Sequence, residues 1–406
     1  MGLRYGGRFG DAGAYRVYGV GLLRSVDEPT EWRNMQLGFR TDWGGASDTF
    51  TVQGDAYQGD QDRLTGQISD TSISGGNVLG RWTRRFEDGA EFSLQAYADR
   101  TERQIASAIN ASVDAASMDA VYEVSLGSAH DIVLGAGARV TRDQFTPGPG
   151  TVFLDPDQRT LETYNVYVQD TIALAERIDL IAGLKLEDNS YTGLEYMPSL
   201  RLAWRIDPSS LLWAAVSRAV RTPSRFDSDL MNPGVIEGGP DFVSETVVAY
   251  ELGYRAQANE RLWFSVSGYY NVYDDLRTLE ATSMVVFPLE IRNGMSGDTY
   301  GVEAWGSYSV DDWWRLNAGL NWQQKDLQID DGSADVFGVA FAGNDPELQL
   351  SLRSLMDFGE RTQFDVTARY VSELPSPQVD EYVALDARIG FRVTDELEFA
   401  VTGYNL

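Results

Sequence analysis

Apolar and polar residues alternate along this chain in segment after segment. From Thr49 to Tyr57, Phe50, Val52, Gly54 and Ala56 take turns with Thr49, Thr51, Gln53 and Asp55, the period of two that sends successive side chains to opposite faces of a strand. The same phase recurs where Phe92, Leu94 and Ala96 oppose Glu91, Ser93 and Gln95. It recurs again where Trp314, Leu316, Ala318, Leu320 and Trp322 oppose Arg315, Asn317, Gly319, Asn321 and Gln323. Five such pairs make about ten residues, the length with which a tilted strand crosses roughly 25 Å of hydrocarbon. The pattern predicts an all-β fold, a transmembrane antiparallel β-barrel with one face toward lipid and the other toward water.

Stretches of Gly, Asp, Asn, Pro and Ser, the residues of hairpin turns, punctuate the strands. They lie at Gly10 to Gly13, Gly44 to Asp48, Phe86 to Gly89, Gly127 to His130, Leu174 to Arg177, Asp207 to Ser210, Gln257 to Glu260, Val310 to Asp312, Asp357 to Glu360 and Thr394 to Glu396. Longer polar connections fall between them: Arg24 to Arg33, Gly59 to Gly75, Arg100 to Met118, Thr141 to Thr160, Ala219 to Ser244, Tyr273 to Gly297, Lys325 to Asp345 and Ser372 to Glu381, with a shorter one at Asn189 to Glu195. Short turns face the periplasm and long loops the exterior in bacterial barrels. Ten hairpins give about twenty strands, from near Gly2 to Phe9 to near Leu397 to Leu406. Both end strands touch a periplasmic turn, so a barrel of about twenty-two strands is expected, with this chain an end-trimmed portion of it. A lumen that wide is normally plugged, and residues 1–406 read throughout as barrel.

Composition narrows the field. The 406 residues include no Cys, which removes thiol catalysis and thiolate metal sites, and the longest apolar stretches, such as Leu211 to Val216, fall far short of the ~20 residues of a spanning helix. A net charge of −28 argues against nucleic acid as a partner, since no basic stripe is seen. The carboxylates read as solvating loops and a wet lumen. Trp43, Trp82, Trp204, Trp213 and Trp263, near strand ends, suit an interfacial aromatic girdle.

SRAVRTPSRFD at Ser217 to Asp227 and PDFVSETVVAYELGYR at Pro240 to Arg255 resemble the barrel signature of TonB-dependent outer-membrane receptors, above all the iron-complex, or siderophore, branch. FSVSGYYNVYDDL from Phe264, NGMSGDTYGVEAWGSY from Asn293 and LDARIGFRVTDELEFAVTGYNL from Leu385 look like consecutive strands of that family, and RYGGRFGDAGAYRVYG like its first complete hairpin. The resemblance implies binding and active import of a scarce solute across the outer membrane of a Gram-negative bacterium. The commonest such solute is a ferric siderophore; cobalamin, haem, other chelates and oligosaccharides are also family ligands. The implied partners are the TonB energy-transducing complex, acting through a plug domain, the ferric chelate, and outer-membrane lipid and lipopolysaccharide, with no cofactor. Three family features are missing from the chain: the plug, the TonB box and a terminal aromatic residue. Where the family commonly has Asn-Pro-x-Leu-x-Pro-Glu, this chain has GGPDFVSET and keeps Glu245.

An enzyme would need a base beside a nucleophile. His130 reads as a solvated turn residue, and Asp274, Asp275, Asp311 and Asp312 as turn and loop-start residues. The rivals to a receptor are a passive porin, an assembly barrel and, last, a surface enzyme. The sharpest functional candidates are Arg218, Arg221 and Arg225, where a strand passes into a long outer loop and guanidiniums can hold an anionic chelate through charge-assisted hydrogen bonds. The competing reading pairs them with carboxylates or packs them on the plug. Phe226 and Phe242 are candidates for stacking on a ligand.

Overall fold

The computed structural model describes residues 2–26, 30–63, 71–105, 109–148, 152–282, 287–395 and 397–406. Among them run twenty strands of seven residues or more, from Gly2–Phe9 to Leu397–Gly403, each antiparallel to the next along the chain. The ten short turns fall within two residues of the predicted positions, the last containing residue 396, which is outside the described set. Gly10 and Gly127 sit in two of them at φ of 55° and 66°, a left-handed conformation that Gly adopts without a Cβ penalty.

The strands are longer than the alternation suggests. Leu289–Asp311 has 23 residues and Leu262–Ala281 has 20, so most of the loop expected from Tyr273 to Gly297 is ladder. Likewise Asp48–Arg63 pairs with Thr30–Gly44 as far as Arg63 opposite Thr30. Backbone hydrogen bonds do not require an apolar face, so pairing continues above the lipid where both faces turn polar. The tips of several expected loops, at residues 27–29, 64–70, 106–108, 149–151 and 283–286, lie outside the described residues.

The two faces of the wall differ in chemistry. On Thr30–Gly44, the exposed Met35, Leu37, Phe39 and Trp43 share one face, while Gln36, Arg40 and Asp42 share the other. Outward apolar and inward polar positions define the lipid side and the lumen. Near the periplasmic turns Trp43, Phe50, Trp82 and Phe92 form a continuous outward aromatic row with centroid spacings of 5.5, 6.5 and 5.7 Å. Trp204 also faces outward. Trp213 does not belong to this girdle: it lies opposite Ala203 and Gly253 on the lumen face, with the Arg201 guanidinium 5.3 Å from its ring centroid. Trp263 shares the lumen-face phase of Ser265 and Ser267.

The buried apolar cluster sits in the outer segments. Leu154, Leu230, Phe242, Leu279, Leu289 and Ile291 pack together, with Phe145 and Ile236 against them. Short strands reinforce the cluster: Leu230–Asn232 pairs with Phe153–Leu154 and with Ile236–Glu237, which runs parallel to the start of Leu289–Asp311. Outer segments far apart in sequence are thereby fixed to one another.

Candidate ligand-binding mouth

Past Arg221 the chain forms one helical turn, Arg225–Asp229. Ser224 and Asp227 cap it reciprocally, the Ser224 hydroxyl accepting from the Asp227 backbone N–H and the Asp227 carboxylate accepting from the Ser224 backbone N–H. Asp227 is fully buried. It also accepts from the Ser224 hydroxyl at 2.8 Å, from Arg221 Nη1 at 3.0 Å and from Arg277 Nη1 at 3.3 Å. Burial opposes ionisation of this carboxyl, but the Ser224 backbone N–H, the Arg221 guanidinium and the Ser224 hydroxyl outweigh it and hold Asp227 below the usual carboxylate range.

Asp229, two residues on, accepts from Arg159 Nη1 at 2.5 Å and from the Tyr191 hydroxyl at 2.9 Å, and lies 3.0 Å from Arg225 Nε. The Arg159 guanidinium stands 4.5 Å from the Tyr191 ring centroid. Burial, followed by the hydrogen bond to Asp229, pushes the Tyr191 phenol up. The other end of Arg225 meets Asp143 at 3.2 Å and donates to the Pro156 carbonyl. Glu245 pairs with Arg221 and accepts from the Arg277 backbone N–H. Four arginines, 159, 221, 225 and 277, thus balance four carboxylates, 143, 227, 229 and 245.

The candidates from sequence fall in different settings. Arg225 is buried between Asp143 and Asp229. Arg221 keeps 45% of its side chain exposed while holding Asp227 and Glu245. Arg218 stands on the opposite face of the strand Ser210–Arg221, 4.4 Å from the Tyr196 ring centroid and donating to the Tyr196 carbonyl at 2.6 Å. Phe226 is 52% exposed, whereas Phe242 is buried in the loop cluster beneath Arg221. Sequence reading missed Arg159, Tyr191 and Arg277. Ser224-x-x-Asp227, a capping-box pattern, signals the helix, but nothing local marks the distant arginines.

The other polar candidates lie elsewhere. His130 begins the strand His130–Pro147 rather than ending a turn, and its Nδ1 is 2.8 Å from Asp170 Oδ2. Asp274 and Asp275 interrupt the pairing of Leu262–Ala281 with Leu289–Asp311, Asp275 at φ of 60°, while Asp274 still pairs with Thr246 on the other side.

A twenty-stranded wall with an apolar exterior, a polar lumen and interlocked outer segments is the architecture of an outer-membrane receptor barrel. The chain belongs to the family of TonB dependent receptor-like β-barrels, whose family model matches residues 2–406. It is similar to the probable TonB-dependent siderophore receptor PirA of Acinetobacter baumannii, with 22% identity over 133 residues, 29% of this chain and 18% of that protein. It is also similar to the iron-regulated outer membrane virulence protein of Vibrio cholerae, 26% identical over 114 residues, 27% of this chain and 18% of that protein. These matched stretches are a small part of the curated relatives' length. Among solved structures, the siderophore receptor PirA from Acinetobacter baumannii superposes with a TM-score of 0.81 at 14% identity, covering 100% of this chain and 73% of that one. A mutant of the ferric enterobactin receptor PfeA from Pseudomonas aeruginosa gives 0.81 at 13%, covering 100% and 71%. At these identities the structural likeness speaks for the fold.

Proposed function

We propose that this protein is the barrel of an active-transport receptor that binds a ferric siderophore at its outer mouth and imports it with energy from the TonB complex, delivered through a plug domain. The observation that carries the reading is the family match along residues 2–406. The names of the relatives, siderophore receptors and an iron-regulated outer membrane protein, support it. So does the mouth, where outer segments are bound to one another by an apolar cluster and two four-membered charge clusters. Family and fold support a transport role. Arg221 and Phe226 offer exposed guanidinium and aromatic surface there, and we assign them ligand contact. Arg225 shapes the mouth from beneath, while Arg218 acts from the outward face through Tyr196.

Uptake of radiolabelled ferric siderophores by iron-starved cells, with and without functional TonB, tests the reading. Saturable uptake that requires both this protein and TonB is expected. Non-saturable flux that ignores TonB would instead identify a passive porin and refute the proposal.

A further inference from the structure

Three long outer connections, residues 221–245, 274–296 and 325–347, carry five bases and fifteen acids. Every one of the five bases is committed to a carboxylate. Arg221 holds Asp227 and Glu245, Arg225 holds Asp143 and Asp229, Arg277 holds Asp227, Arg292 holds Glu290, and Lys325 holds Asp345. The other ten acids of these segments have no salt-bridge partner among the described residues. Some of them, such as Glu280 and Asp330, are met by neutral hydroxyls of Thr278, Ser333 and Ser296. Positive charge on this side of the mouth is thus fully used, while negative charge is left over.

The surplus is gathered where the three segments meet. A cavity of about 430 Å³ is lined by Asp241 from the first, Asp275, Glu280 and Glu290 from the second, and Asp330 and Asp331 from the third. Among its described lining residues the one base is Arg292, already held by Glu290 at 2.8 Å. Asp241 and Asp331 are exposed. Arg103, exposed and without a carboxylate partner among the described residues, belongs to Glu91–Ile105, on a distant part of the wall. A polyanion entering this side of the mouth meets no uncommitted guanidinium and lies beside like charge, which lowers both encounter rate and affinity. Salt does not remove the effect inside the cavity, where separations are shorter than the ~8 Å screening length.

Chelate chemistry converts this charge balance into a substrate class. Three catecholates leave ferric iron with a large negative charge and carboxylate chelators also leave it negative, whereas three hydroxamates cancel the charge of the metal. A trihydroxamate with a free amine is therefore a cation. We propose that the solute received at this mouth is a cationic ferric chelate of the amine-bearing hydroxamate class. The proposal deepens the receptor reading and rests on it for the ferric chelate. The ammonium group is received by Asp241, Asp275 and Asp331, and the exposed edge of Arg221 donates to the metal-binding oxygens while Phe226 packs on the apolar linkers.

Three ferric trihydroxamates that differ only at one end, with the amine free, acetylated or succinylated, carry one positive charge, none and one negative charge. Their binding to the native protein in outer-membrane fractions is measured with radioactive iron beside a ferric tricatecholate, with membranes lacking the protein as the blank. The amine form is expected to bind about tenfold tighter than the succinylated form or better, with the acetylated form between them and the tricatecholate weakest. The ratio should shrink as salt is raised. Asp241→Asn combined with Asp331→Asn, two exposed carboxylates outside the charge clusters, should cut the ratio severalfold with hydrogen exchange of residues 222–245 unchanged. Equal affinities, tighter binding of the succinylated form or the tricatecholate, or a ratio that the double variant leaves unmoved overturn the proposal. Tight tricatecholate binding with TonB-dependent uptake removes the cationic class and keeps the receptor reading; the expected ranking without TonB-dependent uptake does the reverse. Absence of binding by all four probes removes both.

Discussion

Arg277 Nη1 lies 3.3 Å from Asp227 Oδ1, joining a strand to a one-turn helix fifty residues away in sequence. Asp227 is buried and accepts from Ser224, Arg221 and Arg277, so removing it breaks more contacts than removing either half-exposed arginine. A hydrogen bond to a charged group is worth about 1.5–3 kcal/mol. Asp227→Ala is expected to release residues 222–245 from the mouth while the wall stays folded. Hydrogen exchange would show faster exchange in that segment alone; an unchanged segment would mean the apolar cluster holds it unaided.

The same carboxylate sets a pH dependence. Its pKa is lowered on folding, so its contribution to docking is fully present above the unfolded value of about 3.9 and is lost as pH falls through the folded value. Protection of residues 222–245 should persist from pH 7 to about 4 and decline below that. In Asp227→Asn this acid-dependent step should be absent, and its survival there would assign it to another group.

Gly239 has no room for a methyl group, since a Cβ would overlap the Ile291 carbonyl oxygen. Gly239→Ala must displace either the 222–245 segment or the start of Leu289–Asp311. Leu154→Ala tests the cluster by creating a cavity, at about 2–5 kcal/mol. Both variants should increase protease cleavage in the outer segments without altering the heat-stable mobility of the barrel, and resistance equal to the parent's would show that the cluster is dispensable.

At the mouth, Phe226→Ala should weaken ferric-siderophore binding by about 1 kcal/mol, the scale of one aromatic contact, with no change in hydrogen exchange. Arg225→Gln should weaken binding together with faster exchange, because it strands Asp143 and takes from Asp229 one of its two guanidinium partners. Titration calorimetry paired with exchange separates the two. Binding untouched in both variants would move the ligand site away from this loop.

Brominated phospholipids report which tryptophans face the bilayer. Single-tryptophan proteins retaining Trp43 or Trp204 should be quenched, whereas one retaining Trp213 should not. Strong quenching of Trp213 would contradict its lumen orientation.

The wall was legible wherever one face was apolar and the other polar, as from Phe50 to Ala56. It became illegible where that contrast failed. From Leu211 to Val216 both faces are apolar, so the phase of Trp213 did not show; from Gln58 to Arg63 both are polar, so a strand looked like a loop. The turns were legible because their backbone demands Gly, Asp or Asn. At the mouth, Arg221, Arg225 and Phe226 stood out as a local cluster. Their partners Asp143, Arg159 and Arg277 come from other outer segments, and only the folded chain brings them within hydrogen-bonding distance.

Strand length has a consequence for access. The 23 residues of Leu289–Asp311, at about 3.3 Å each and a tilt of about 40°, rise roughly 58 Å against an apolar band of about 25 Å. Much of the remainder stands above the bilayer, farther than the ~10 Å over which the charge of a membrane surface is felt in salt. An approaching anion is steered there by the protein's own field and not by that of the lipids. In a chain of net charge −28, attraction rests on the few guanidinium edges, such as that of Arg221, which the network leaves uncovered.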